Sequence, residues 1–367
     1  MRFGGLGMYL LIGLLCSSCA KKEDKRLAPT ARKVHLNIAN KIIATSEKKL
    51  LSSYGFFKGK LAELNPSEGV YPYTINTPLF SNYAEKARFI YLPNDNKMTF
   101  KAQGPLKFSN GAILIKNFYY PTIKSASSQK RQLVETRLLI NEKGKWKPLN
   151  YIWNDEQTEA VLNYVGKKLI IHRQDENNHI QEVNYTIPNL NQCKNCHNTH
   201  NKITPIGITA AQLNLRYPFV TEKLNQLDYF KKENKILEFT KAENYPSMPV
   251  WNDEHTGSLE ERARAYLDAN CAHCHSSQGS AKNSGLSLNY HEKDRRKRGV
   301  YKPPIAAGKG SGDLKYGIVP GKPEESILIY RVGSNDPAIR MPELGRSVVH
   351  KEGLALLQAY IQELAAH

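Results

Sequence analysis

Four of the six cysteines in this 367-residue chain fall into two copies of one five-residue pattern, Cys193-Lys194-Asn195-Cys196-His197 and Cys271-Ala272-His273-Cys274-His275. Each copy commits its segment to a local geometry in which two thiols lie about one turn apart and an imidazole follows at once. CxxCH is the attachment signature of haem c. The spacing suits that chemistry because the thiols reach the two vinyl groups while the imidazole turns onto the iron from the same side. Cys193, Cys196, Cys271 and Cys274 are therefore expected to attach two haems, with His197 and His275 as axial ligands. A zinc ribbon also pairs CxxC motifs, but its halves lie about 15 to 20 residues apart, whereas Cys196 and Cys271 are 75 positions apart. Thioredoxin-like redox pairs need a βαβ setting that neither motif has. Short-loop disulfides fit an oxidising compartment but leave the histidine after each pair unexplained. The other histidines, His200 and His273 among them, read as surface or packing residues.

The remaining two cysteines lie at the start of the chain. Met1-Arg2-Phe3, an apolar run from Met8 to Leu15 and then Cys16-Ser17-Ser18-Cys19 follow the charged, apolar and small-residue order of a secretory signal. The run is too short to span a bilayer. Small residues before Cys19 resemble a bacterial lipobox, so cleavage after residue 18 and lipidation of Cys19 are expected, followed by a Lys/Arg/Ala-rich tether over 19–36. That places the chain on the periplasmic or cell-surface face of a bacterial membrane, held by its lipid anchor. The formal charge of +18 would suit nucleic acid in another compartment, but an exported chain does not meet it. Acidic redox partners are the ones such a charge favours.

Residues 37–190 read as a β-rich domain with a short helix at its start, closed at Gly55. Strand-like runs at Phe89–Leu92, Ile113–Tyr120, Leu133–Ile140, Leu169–Ile171 and Val183–Ile187 are separated by turn signals such as Asn141-Glu142-Lys143-Gly144. Glu135-Thr136-Arg137 and Tyr151-Ile152-Trp153-Asn154 read as cross-strand pairs and core. Residues 191–250 form a first haem-binding segment. In 251–367, Ser258-Leu259-Glu260-Glu261 is a capping box that starts a helix leading into Cys271. Pro323 suits a helix first turn, and Leu354, Leu357, Tyr360, Ile361 and Leu364 share one face of a last helix. Helix, CxxCH, Met341 and closing helix are in the order of a small class I cytochrome c. The predicted fold class is α+β, an N-terminal antiparallel β-rich domain followed by an all-α class I cytochrome c-like domain.

These motifs resemble an uncharacterised bacterial family of secreted dihaem c-type cytochromes, often lipoproteins. The shared stretches are Leu51–Phe57, Pro78–Tyr83, Glu135-Thr136-Arg137, the surroundings of Cys193 with Pro205-Ile206-Gly207, and Glu261–Leu267 leading into Cys271. The resemblance implies haem binding and electron transfer and brings no established substrate.

Two functions fit the residues. One is a tethered electron carrier with two covalently bound haems. The other is a dihaem enzyme, peroxidase-like or a dehydrogenase subunit, which would account for a β domain larger than electron carriage needs. Met341 is the expected second axial ligand of the second haem, since no other methionine follows Cys274. Met248 and His200 are candidates at the first haem. The run Arg295-Arg296-Lys297-Arg298 is a candidate docking rim for an acidic partner.

Overall fold

A computed structural model describes residues 47–122, 131–305 and 307–364. The predicted leader, Cys19, the tether and most of the short helix near residue 40 lie outside the described residues.

Alternating apolar residues build the central element, a six-stranded antiparallel sheet made from β1 (Val70–Tyr73), β2 (Glu85–Tyr91), β3 (Ile113–Pro121), β4 (Arg131–Glu142), β5 (Lys145–Trp153) and β6 (Ala160–Leu162). The strands lie in the order β6-β5-β4-β3-β2-β1, and two short strands of a separate sheet, Met98–Thr99 and Lys107–Phe108, intervene in the chain between β2 and β3. Phe89, Ile115, Leu138 and Tyr151 face one side, where Leu51, Tyr54 and Phe56 cover them. Tyr54 and Tyr151 share a buried hydrogen bond of 3.0 Å between their hydroxyls. The predicted helix end at Gly55 is a 3-10 turn, Ser52–Tyr54, closed by Gly55 in the left-handed region at φ 68°.

The opposite side of the sheet carries two apolar patches. Ile90 and Leu114 pack under Ile208, Leu213, Leu227 and Phe230, which belong to or flank the short helices α2 (Ala210–Leu213) and α3 (Gln226–Lys232). Phe118 packs under Val183, Tyr185 and Ile187 of a separate antiparallel hairpin, β7 (Lys167–Gln174) and β8 (Ile180–Ile187). Between the patches the register aligns Arg88 with Lys116 and Lys116 with Arg137 on three adjacent strands. Directly opposed like charges destabilise a sheet, so this row marks a place where packing has been given up for something else. It is the floor of the site described below.

The all-α class I cytochrome c-like domain predicted for 251–367 is not present. The described residues are sheet-rich, with several antiparallel sheets and only short helices among them. After residue 250 the described α-helices are α4 (Leu259–Leu267), α5 (Ile327–Val332) and α6 (Lys351–Glu363), the longest of 13 residues. Between them lie loops, 3-10 turns, one π-helical turn at Asp268–Ala272 and two isolated parallel bridges, Val300 to Ile318 and Tyr316 to Ser326. The cause is compositional, because eight glycines and four prolines stand between residues 276 and 326, too many breakers for helix to propagate. The capping box is formed as expected, with Ser258 Oγ accepting from the Glu261 amide and Glu261 accepting from the Ser258 amide. Leu357, Tyr360 and Ile361 bury one face of α6 against Ala263 and Leu267 of α4. The crossing is close because Gly353 has no Cβ, which would meet the Tyr266 ring and His350.

The described residues fall in one compact unit, and the loop 76–83 explains how. Thr77 Oγ1 donates to the Pro249 carbonyl and accepts from the Trp251 amide. The Phe80 amide donates to Asn270 Oδ1, and Asn82 Oδ1 accepts from the Ser347 amide. The Phe80 ring stacks on His350 with centroids 4.2 Å apart. One polar loop thus ties the sheet to both the second CxxCH segment and the C-terminal helix.

Candidate functional site

The first CxxCH lies on α1 (Leu190–Cys196), which begins at Asn189 with a capping box completed by Gln192. Strand β8 ends at Ile187 and the helix starts within three residues, so the motif is held directly over the sheet. His197 closes the helix. Its amide donates to the Cys193 carbonyl, and its carbonyl accepts from the Thr204 amide. The imidazole Nδ1 lies 2.9 Å from the Thr204 carbonyl. A carbonyl only accepts, so Nδ1 carries the proton and Nε2 keeps its lone pair. Burial pushes the His197 pKa down to about 4, assisted by Lys116, His273 and Arg137 and opposed by the Thr204 bond. The ring is neutral at neutral pH, the form that ligates a metal.

The second CxxCH follows α4 through a π-helical turn, Asp268–Ala272, a wider turn that recurs at functional sites. The His275 amide donates to the Cys271 carbonyl at 2.8 Å. Its Nδ1 lies 3.0 Å from Ser284 Oγ. Ser284 spends its own proton on the Ala281 carbonyl, so its oxygen accepts from Nδ1 and again Nε2 is the free base. Gly279 lets the loop fold back, since a Cβ there would run into the backbone of His273 and Cys274. Burial raises the Cys271 thiol to about 12.

Each motif opens on a cavity. The second, about 440 Å³, is lined by Cys271, Cys274, His275, Leu288, Ile318 and Met341. The structure therefore brings Met341 to the same cavity as His275, across 66 positions of sequence. Arg346, 5 % exposed, pins that segment: its guanidinium donates to the Met341 carbonyl at 2.8 Å and to those of Arg331, Val332 and Ser334. The Met341 amide in turn donates to the Arg331 carbonyl. Sequence reasoning passed over Arg346, because nothing local marks an arginine whose partners are all backbone carbonyls.

The first cavity, about 400 Å³, is lined by Cys193, Cys196 and His197 above and by Arg88, Lys116 and Arg137 below. Lys168, Arg340, Arg346, His273 and His350 also reach it. Neither Met248 nor His200 lines it: Met248 is buried elsewhere at 6 % exposure, and His200 is exposed at the turn of a small hairpin, Asn198–Thr199 with Lys202–Ile203. His350, which the sequence did not single out, does line it, with Nδ1 2.9 Å from the Tyr266 hydroxyl and Nε2 3.5 Å from Glu352.

Of Glu135-Thr136-Arg137, Arg137 lines this cavity. Glu135 is fully buried, pairs with Arg137 at 2.5 Å and accepts from the Tyr185 hydroxyl at 2.7 Å. Burial works against the Arg137 charge, and Glu135 more than offsets it. Glu135→Gln leaves Arg137 beside Lys116 and Arg88 with no carboxylate of its own. The expected loss is about 3 kcal/mol, at the low end for a broken buried pair because the Arg137 side chain is 30 % exposed. A urea titration checks this, and an unchanged midpoint contradicts it.

The two cavities share Cys196, Asn270, His273, Val332 and Pro342 as walls. Cys196 and Cys274, one from each motif, are in direct contact, which keeps the proton on Cys196 and eases its loss from Cys274. With His273 they place three donor atoms within 4.8 Å of one another. None of the four motif cysteines is disulfide-bonded. Chain comparisons with family models, curated proteins and solved structures find no match.

Of the basic run, Arg295, Arg296 and Lys297 are exposed. Arg298 turns inward instead, pairing with Glu260 at 2.6 Å and lining the second cavity.

Proposed function

We propose that the chain is a dihaem c-type cytochrome that transfers electrons, with one haem on Cys193 and Cys196 and the other on Cys271 and Cys274. The observation that carries this reading is the pair of fixed tautomers: at both motifs the histidine commits Nδ1–H to an acceptor and leaves Nε2 as a base beside a cavity and two unpaired thiols. Metal-bound histidines are held in this way. The apolar lining of the second cavity and the cations of the first suit the two parts of a porphyrin, its ring and its propionates. A haem supplies one-electron chemistry, which the protein tunes through axial ligands and charge. His197 and His275 would be the proximal ligands and Met341 the distal ligand of the second haem.

The contact of Cys196 with Cys274 would put the edges of the two groups side by side, an arrangement suited to passing electrons between them. Exposed Arg295, Arg296 and Lys297 supply positive charge near the second cavity for an acidic redox partner. Export and a lipid anchor on Cys19 complete the reading; among the described residues no helix is long and apolar enough to cross a membrane.

One observation favours a second reading, a soft metal ion such as zinc held by Cys196, His273 and Cys274. It supplies three ligands where structural zinc takes four, and it leaves Cys193, His197, Cys271 and His275 without a role. Carriage and catalysis separate on ligand access. A carrier is expected to bind carbon monoxide slowly or not at all at either reduced haem and to leave hydrogen peroxide unconsumed. Fast binding at one haem together with peroxide turnover would make the chain an enzyme.

A further inference from the structure

The cationic row across the sheet has no counterpart in electron transfer as such. Arg88, Lys116 and Arg137 stand opposite one another on β2, β3 and β4, and all three line the first cavity. Only Arg137 has its own carboxylate. Arg88 is 8 % exposed, and its Nη2 is buried with no hydrogen-bond partner. Lys116 forms no ion pair with a described residue; its ammonium lies 5.1 Å from the Phe118 ring centroid. Asp268 and Glu343, the acidic side chains that line the same cavity, pair with neither. A buried guanidinium and a half-buried ammonium without counter-ions are costly, and a guanidinium donor left free on a cavity wall is shaped for a planar anion that accepts two bonds.

We infer that the row is a carboxylate-binding site, and that the carboxylates it takes are the propionates of the porphyrin carried on Cys193 and Cys196. This rests on the dihaem reading. Two propionates balance the charges of Arg88 and Lys116, with Arg137 already neutralised by Glu135. The row then does two things for this chain. It would orient the porphyrin with its charged edge toward β2 and β3, and it would offset the negative charge of the propionates, which favours the reduced state and raises the potential of the first haem.

The test uses the full-length haem-loaded protein and the variants Arg88→Gln, Arg88→Lys and Lys116→Gln, read by haem content, spectroelectrochemical titration and the propionate bands of the resonance Raman spectrum. Arg88→Gln and Lys116→Gln are expected to keep two haems per chain, to lower the midpoint potential of one haem and leave the other in place, and to shift the propionate bands; Arg88→Lys restores most of the potential. Lys116 makes no hydrogen bond with a described residue, so Lys116→Gln carries the test should Arg88→Gln fail to fold. Two haems with unchanged potentials and bands in Lys116→Gln would overturn the inference. So would a Soret shift of the wild type on adding inorganic phosphate that Lys116→Gln abolishes, because the row would then be open to free anions. A wild type without haem overturns the dihaem reading, and this inference with it.

Discussion

Met341→His is expected to lower the midpoint potential of the second haem by an amount on the order of 0.2 V, within the roughly 0.8 V that axial ligands command, and to abolish the near-infrared Fe–S(Met) charge-transfer band of the oxidised protein. A thioether is a weak donor that favours ferrous iron, whereas imidazole favours ferric iron. The geometry makes the substitution informative, because Met341 shares its cavity with His275 and its backbone is fixed on both sides. Its amide donates to the Arg331 carbonyl, and its carbonyl accepts from Arg346. A new side chain therefore starts from the same place as the old one. A buried methionine that only fills space would give a different result: no band in the wild type, and no potential shift in the variant.

The second large effect concerns the shared wall. Cys271→Ala/Cys274→Ala is expected to halve the haem content. The wild type is expected to show a two-signed Soret circular dichroism signal, since two chromophores attached at adjoining Cys196 and Cys274 couple through their transition dipoles. In the double variant the remaining haem has no partner, so the signal should collapse to one sign. Cys193→Ala/Cys196→Ala should give the same optical result from the other side. A single-signed Soret signal in a wild type that carries two haems would mean that the attached groups are turned away from each other despite the contact of their cysteines.

Half of the sheet was legible because its strands alternate: three of the strand-like runs lie on β2, β3 and β4, and the other two lie on β7 and β8 of the separate hairpin. The two CxxCH motifs and the capping box at Ser258 are equally local. The fold after residue 250 was not legible in the same way. Helix, CxxCH and closing helix are in familiar order, yet the glycines and prolines between 276 and 326 leave loops where helices were expected. The cationic row was out of reach, because Arg88, Lys116 and Arg137 meet through strand register, a tertiary property. The sequence suggests cross-strand pairing for Glu135 and Arg137, whereas they pair with each other along β4, and their position under α1 depends on where β8 delivers the chain. His350 and Arg346 come from the loop before α6, more than 140 residues after the first motif, and only the loop 76–83 explains why they reach its cavity.

The central claim is that both CxxCH segments carry covalent haem. Pyridine haemochrome quantitation of the purified full-length protein, set beside its metal content, tests it most directly. The expected result is two c-type haems and two irons per chain, retained after denaturation. Zinc in place of iron, with no haem absorbance, would contradict it.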